Sequence, residues 1–177
     1  MAILNIIKYP DPFLRTTAEA VKEVDAGIKA LIENMAETMY LNKGIGLAAV
    51  QVGVAKRVIV LDVPDEDEEQ REKGKNLIAL VNPEVTEAEG SSTYEEGCLS
   101  LPGINADVKR AAVVTIRGLD REGAPVEVRA EGLFATALQH EIDHLDGILF
   151  IDKLSWLKRD FIKRKIKKSL EEEKRAV

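Results

Sequence analysis

In three separate segments of the chain, hydrophobic residues recur every three or four positions. The first segment runs from Asp25, a suitable N-cap, to about Asn42, and Gly44 lies where a helix-ending glycine is expected. The same spacing returns from Leu133 to Leu145. A third, amphipathic segment starts at Ser155. We therefore predict a helix in each of these segments.

Short runs of β-branched and aliphatic residues predict strands between the first two helices. The turn-rich residues 120–123 join the last two runs and so indicate a hairpin. Residues 64–75 contain six acids and three bases, which is typical of an exposed loop. The predicted strands cover residues 57–63, 77–81, 112–117 and 126–129.

Together these elements predict an α+β fold, in which short antiparallel strands pack around one central helix and a further helix ends the chain. The chain has 177 residues, the size of one ordinary domain. We therefore expect a single domain over residues 1–177, with a basic C-terminal helix from about residue 155. Hydrophobic residues make up 45% and aromatic residues 5% of the chain, so we expect an aliphatic core.

Composition narrows the class of protein. The formal net charge of −6 argues against a nucleic-acid-binding surface over the whole molecule, and we expect no DNA partner. No segment approaches the roughly 18 apolar residues of a membrane span, and the N-terminus lacks the features of a secretory signal. The one cysteine, Cys98, excludes an intrachain disulfide. We therefore predict a cytoplasmic protein without a membrane partner.

The two histidines of the chain, His140 and His144, lie four positions apart on the second predicted helix. Residues at this spacing share a helix face, so both imidazoles can bind one metal ion. Glu141 lies beside the first histidine but is displaced around the helix, where it can reach a water molecule. The alternative is a pair of surface histidines on an amphipathic helix. The apolar residues on the same face argue against it, because buried imidazoles need partners.

A catalytic metal site commonly has three protein ligands and one open position. No third histidine exists, and the acidic residues 171–173 lie in a strongly charged terminal segment. Cys98 is therefore the candidate third ligand. A thiolate with two imidazoles suits iron, zinc, cobalt or nickel, and the residues themselves do not choose among them.

Three motifs resemble those of peptide deformylases, and the resemblance extends over essentially the whole chain. The first is Glu96-Gly97-Cys98-Leu99-Ser100, and the second is His140-Glu141-Ile142-Asp143-His144. The third, Gly44-Ile45-Gly46-Leu47-Ala48-Ala49-Val50-Gln51, would by itself be interpreted as a loop after a helix. The three occur in the order that the family has.

The resemblance implies a metal-dependent hydrolase that removes the formyl group from the N-terminal formyl-methionine of nascent proteins and releases formate. Cys98, His140 and His144 would bind one divalent metal ion, Fe2+ in the cell, with Zn2+, Ni2+ or Co2+ as alternatives. A metal-bound water would be the nucleophile and Glu141 the general base. The side-chain amide of Gln51 and the backbone N–H of Leu99 would stabilise the oxyanion.

The resemblance also assigns residues to the substrate. Gly46 and nearby backbone groups would hold the extended peptide, and the walls of the methionine pocket would include Ile45, Leu133, Thr136 and Ala137. Arg110 has either a structural role or a contact with the peptide, and Asp143 either supports the site or caps local backbone. The basic C-terminal helix either only carries solvated charge or also contacts ribosomal RNA.

Two other functions remain open from the residues. One is a zinc endopeptidase of the His-Glu-x-x-His type, which would retain its metal without Cys98. The other is a non-catalytic, ribosome-associated module with a structural metal. That module predicts four protein ligands, whereas the chain offers three thiol or imidazole groups.

Overall fold

The computed structural model describes residues 2–177, in which the chain forms three α-helices and seven β-strands. The helices are α1 (Ala26–Leu41), α2 (Gly132–Leu145) and α3 (Trp156–Arg175). The strands are β1 (Gly46–Ala48), β2 (Val58–Asp62), β3 (Leu77–Glu89), β4 (Ser92–Cys98), β5 (Leu101–Arg110), β6 (Val113–Leu119) and β7 (Pro125–Glu131).

Five strands form one antiparallel sheet in the order β1-β2-β3-β6-β7, and β4 and β5 form a separate antiparallel hairpin. Helix α2 lies between them, because it contacts β1, β2, β6 and β7 of the sheet and also β4 of the hairpin. The predicted α+β fold with a central helix and a C-terminal helix is confirmed. The short strand β1 lies at one edge of the sheet.

The central helix is held by aliphatic packing. Leu138, Ile142 and Leu145 of α2 are buried in the same core cluster as Ile59 and Ile116 of the sheet. Burial of one such side chain contributes about 1.5–3 kcal/mol to stability. The face of α2 that carries the histidines is therefore fixed relative to the strands before any ligand is considered.

Several elements differ from the prediction. The predicted strand 77–81 continues to Glu89, and its second half is exposed. The hairpin of β4 and β5 was not predicted, because some of its inward-facing residues, among them Glu96 and Arg110, are polar and so break the alternation that indicates a strand. Residues 46–48, which by themselves would be interpreted as part of a loop, form β1.

The end of α1 shows a local difference of the same kind. Lys43, and not Gly44, adopts the left-handed backbone conformation there, with φ of 58°. Gly44 instead lies close to the hairpin tip, because a Cβ at this position would lie 2.7 Å from Cδ1 of Leu99.

The C-terminal helix packs less tightly than its amphipathic pattern suggests. Ile162 is buried against the region around β5, whereas Leu157 and Phe161 are 73% and 68% exposed. No helix within residues 2–177 is long and apolar enough to cross a membrane.

Candidate active site

The three candidate metal ligands converge at one point. The ligand atoms of Cys98, His140 and His144 all lie within 4.8 Å of one another. Nε2 of His144 is 3.2 Å from Nε2 of His140 and 3.4 Å from Sγ of Cys98. Tetrahedral metal bonds of about 2.0–2.3 Å place such atoms about 3.3–3.6 Å apart. The arrangement therefore fits one metal ion of this size.

A buried carboxylate fixes the orientation of His140. Nδ1 of His140 lies 2.8 Å from Oε1 of Glu96, and an ionised carboxylate can only accept a hydrogen bond. Nδ1 therefore carries the proton, which leaves the lone pair of Nε2 directed at the other two ligands. Carboxylates commonly orient metal-binding histidines in this way.

Arg110 holds this carboxylate in place. Its guanidinium donates to both oxygens of Glu96, at 2.7 and 2.9 Å, and to Asp143 at 2.7 Å. Burial alone would raise the pKa of Glu96, but the hydrogen bonds from His140 and Arg110 keep that pKa below its usual value. The side chain of Arg110 is only 4% exposed, and it contacts these two carboxylates without lining the open cleft.

Cys98 reaches the histidines because it ends a strand at a tight turn. Cys98 pairs with Leu101 across the two-residue turn of Leu99 and Ser100, and the hairpin register shifts between Gly97 and Cys98. The backbone N–H of Tyr9 donates to the carbonyl of Ser100 at 2.8 Å. The N-terminal segment thus fixes the hairpin tip that carries the thiol.

Glu141 is buried beside the ligands and close to the glycine motif. A Cβ at Gly46 would lie 2.6 Å from Oε1 of Glu141, so only glycine leaves room for this carboxylate. Oε2 of Glu141 has no hydrogen-bond partner among the described residues. Burial raises the pKa of Glu141 to about 7, against the lowering effects of His140 and Arg110. A cation bound by the three ligands would lower this pKa.

The two predicted oxyanion-stabilising groups lie next to the cysteine. Nε2 of Gln51 is 3.4 Å from Sγ of Cys98 and 3.1 Å from Oγ of Ser100. Its Oε1 accepts from the backbone N–H of Ala48 at 3.0 Å, which fixes the amide orientation. Leu99 follows Cys98 in the turn, and its carbonyl accepts from Nζ of Lys8 at 2.8 Å.

A cleft of about 510 Å³ opens over these groups. Gly46, predicted to hold the peptide, and Ile45, a predicted wall of the methionine pocket, line it together with Gln51, Leu99 and two of the metal ligands, Cys98 and His140. It is also lined by residues that the sequence did not single out, which are Lys8, Asn42, Lys43, Pro102 and Gly103.

Three of the predicted walls of the methionine pocket do not line this cleft. Thr136 and Ala137 are buried in α2, one turn before His140. Leu133 lines a separate cavity of about 580 Å³, between the start of α2 and the predicted acidic loop. None of the three is among the residues that line the cleft. Their assignment to the methionine side chain therefore stays a prediction.

Sequence reasoning did not give Glu96 a role, although a signal existed. Residues two positions apart in a strand point to the same face, so Glu96 shares the face of Cys98 in β4. What could not be foreseen was the hairpin, which brings Arg110 of β5 to this carboxylate.

Comparison with known proteins shows that this sequence is similar to those of peptide deformylases. A family described as polypeptide deformylase matches residues 3–160. A peptide deformylase of Thermodesulfovibrio yellowstonii is 54% identical over 167 residues, which are 94% of this chain and 98% of the relative. One of Alkalilimnicola ehrlichii is 54% identical over 168 residues, 95% of this chain and 91% of the relative.

Solved structures show the same similarity. A crystal structure of a peptide deformylase from Legionella pneumophila has a TM-score of 0.86 at 44% identity, and the alignment covers 98% of this chain and 99% of that one. A peptide deformylase from Ehrlichia chaffeensis in complex with actinonin has a TM-score of 0.87 at 41% identity, covering 96% and 98%.

Proposed function

Because this chain belongs to the peptide deformylase family, we propose that its cleft removes the formyl group from N-terminal formyl-methionine, with Glu141 as the general base. The chain is a metal-dependent hydrolase of this family, and deformylation of nascent proteins is the family's function. The observation that carries the proposal is the convergence of Cys98, His140 and His144 beside Glu141 in an open cleft.

The three converging residues would hold the metal, and Glu96 would keep His140 in the binding tautomer. A bound divalent metal would supply a Lewis acid that lowers the pKa of water and polarises the formyl oxygen. With three protein ligands, a further coordination position stays available to water or substrate.

Glu141 would accept a proton from the attacking water and later return it to the departing amine. Its free Oε2 and its position beside Gly46 support this role, because the carboxylate lies next to the strand that would bind the peptide. A positioned general base contributes about 10²–10⁴-fold to the rate.

Attack on the formyl carbon places negative charge on its oxygen. Nε2 of Gln51 and the backbone N–H of Leu99 would donate to that oxygen, since both adjoin Cys98 in the cleft. Removal of one such donor typically costs about 3–4 kcal/mol of transition-state stabilisation.

The peptide would add as a further strand along the free edge of β1, with Ile45 and Gly46 in contact with it. Leu133, Thr136 and Ala137 would form the methionine pocket with Ile45. Their spacing supports this assignment, since positions 133, 136, 137 and 140 share one face of α2.

Formate release from a formyl-methionyl tripeptide, with anaerobically purified and iron-loaded protein, tests the proposal. We expect release from the formyl peptide only, and none from its acetylated or unformylated counterparts. Glu141→Gln should reduce kcat by about 10²–10⁴-fold without loss of bound metal, whereas Cys98→Ala should lose the metal as well. Cleavage of an internal peptide bond, or metal retained in Cys98→Ala, would instead support the endopeptidase.

We propose Fe2+ as the metal in the cell, a choice that rests on the resemblance to the family, because the donor set accepts several metals. Elemental analysis of protein purified without oxygen from its own host should find iron at about one atom per chain. Zinc at that stoichiometry, with full activity, would contradict this assignment.

We also propose that the enzyme works in the cytoplasm and contacts the ribosome through α3. The basic residues of this helix support the contact, since Lys163, Lys167 and Lys168 are exposed. Because Ile162 is part of a core cluster, charge reversal tests this better than truncation. Lys163→Glu with Lys167→Glu should weaken co-sedimentation with ribosomes, whereas Lys22→Glu with Lys29→Glu should not. Equal binding of both double variants would disprove the contact.

A further inference from the structure

The mouth of the cleft is basic, although the chain has an excess of acids over bases of 31 to 25. Among the residues that line it, the exposed charged ones are Lys8 and Lys43. The lining carboxylate, Glu141, is buried within the catalytic group. A substrate therefore meets two positive charges before it reaches the reacting groups.

Neither lysine is neutralised by the protein. No carboxylate oxygen of residues 2–177 lies within 4.0 Å of Nζ of either lysine; Nζ of Lys8 donates instead to the carbonyl of Leu99. Arg71 also reaches this wall, because its Nη1 donates to the carbonyl of Gly44 at 2.6 Å, but its Nη2 lies 3.9 Å from a carboxylate oxygen of the buried Asp62. The two lysines therefore supply the positive potential at this mouth that is available to a bound molecule.

The backbone at Lys43 adds a second observation. Its φ of 58° is a left-handed conformation that glycine adopts without strain, and a helix C-terminus usually has glycine there. A lysine at this position costs backbone strain of about 1 kcal/mol. The chain therefore has a charged side chain at the mouth of the cleft although the backbone conformation there favours glycine.

The two lysines belong to the two walls between which the peptide must pass. Lys43 leads through Gly44 into β1, whereas Lys8 lies on the hairpin tip at Leu99. These walls approach each other closely, because a Cβ at Gly44 would touch Leu99. With formyl-methionine at the metal ligands, the residues directly after it would emerge beside these charges.

We propose that Lys8 and Lys43 make this site selective for nascent chains with acidic residues at the second and third positions. This inference rests on the proposed deformylase function and adds the class of sequence that the site prefers. Exposed ion pairs are each worth about 0.2–1 kcal/mol. The expected preference for an acidic over a neutral residue is therefore roughly 1.4- to fivefold in kcat/KM, and a basic residue should be disfavoured by a similar factor.

Formate release from C-terminally amidated formyl-Met tripeptides tests the proposal, with aspartate, serine or lysine at the second or third position. Amidation removes the terminal carboxylate, so that the side chain alone carries the charge. At low salt we expect the order aspartate, serine, lysine in kcat/KM. At about 1 M salt, where the Debye length is about 3 Å, the three values should converge.

Variants identify the residues responsible. Lys43→Glu should invert the ratio of the aspartate to the lysine peptide, and Lys8→Glu should shift it in the same direction, whereas Lys43→Arg should preserve it. The matched control is Lys22→Glu, an exposed lysine that does not line the cleft. It makes the same change in net charge and should leave the ratio unaltered.

The outcomes distinguish a failure of the charge preference from a failure of the deformylase function. Equal kcat/KM for the three peptides, or a ratio that Lys43→Glu and Lys8→Glu leave unchanged, would overturn the charge preference while leaving the deformylase function intact. A shift caused by only one of the variants would remove the other lysine from the proposal. If the wild type releases no formate even from the serine peptide, the proposed function itself fails.

Discussion

At the scale of single residues, a buried chain of hydrogen bonds orients one of the candidate metal ligands. Arg110 binds both Glu96 and Asp143, and Glu96 binds His140. The guanidinium and the Glu96 carboxylate are 4% and 5% exposed, so each depends on the other for the stabilisation of its charge. The sequence left the role of Arg110 undecided, and this geometry assigns it to support of the ligand.

Glu96→Gln should therefore weaken both metal binding and folding. The amide removes one of the two carboxylates that neutralise the buried charge of Arg110 and leaves only Asp143. It also replaces the ionised group that accepts the hydrogen bond from Nδ1 of His140. We expect about 10–100-fold lower metal affinity in a chelator competition titration, and a free energy of unfolding lower by up to about 3–5 kcal/mol.

The control for this variant is Glu127→Gln. Glu127 binds Arg117 at 2.7 Å, the distance seen in the buried pair, but both partners are exposed. Its loss should leave the free energy of unfolding almost unchanged, because solvent screens an exposed ion pair. Equal effects of the two variants would show that burial of Glu96 has no special importance.

At the scale of elements, the contact between β1 and α2 decides where the general base can lie. The edge strand passes so close to the helix that a side chain at Gly46 would overlap the carboxylate of Glu141. Glycine at this position therefore permits the close approach of the strand to this carboxylate.

Gly46→Ala should displace Glu141 while the metal ligands stay in place. A misplacement of about 1 Å can cost about 10²-fold in rate, so we expect a fall in kcat of that order with normal metal content. Steady-state kinetics and elemental analysis measure the two quantities. Gly27→Ala in α1, where the nearest atom to a new Cβ is 3.3 Å away, should leave kcat unaltered. A similar kcat for both variants would refute the packing argument.

At the scale of the whole molecule, a metal bound to this site would link distant parts of the fold. Cys98 comes from the hairpin and the histidines from the central helix, and the three donors converge from segments more than 40 positions apart. A ligand that binds only the folded state stabilises it by about 2.7 kcal/mol at 100 times its Kd.

Removal of the metal should therefore lower the thermal midpoint. For a chain of this length, about 1 kcal/mol corresponds to about 2–4 °C, so chelation should reduce Tm by roughly 5–10 °C in scanning calorimetry. Cys98→Ala should start from the lower Tm and respond little to chelator. A wild-type Tm that is insensitive to metal would mean that the site contributes nothing to folding stability.

The sequence alone determined the three helices, the α+β class and the pairing of His140 with His144, and its one cysteine left Cys98 as the candidate third ligand. The physical reason is that helical periodicity and i, i+4 ligand spacing are local properties of the chain. The tertiary structure decided the hairpin that presents Cys98, the burial of Arg110 against Glu96 and the placing of Lys8 and Lys43 at the cleft. These depend on contacts between segments distant in sequence, which no local pattern records.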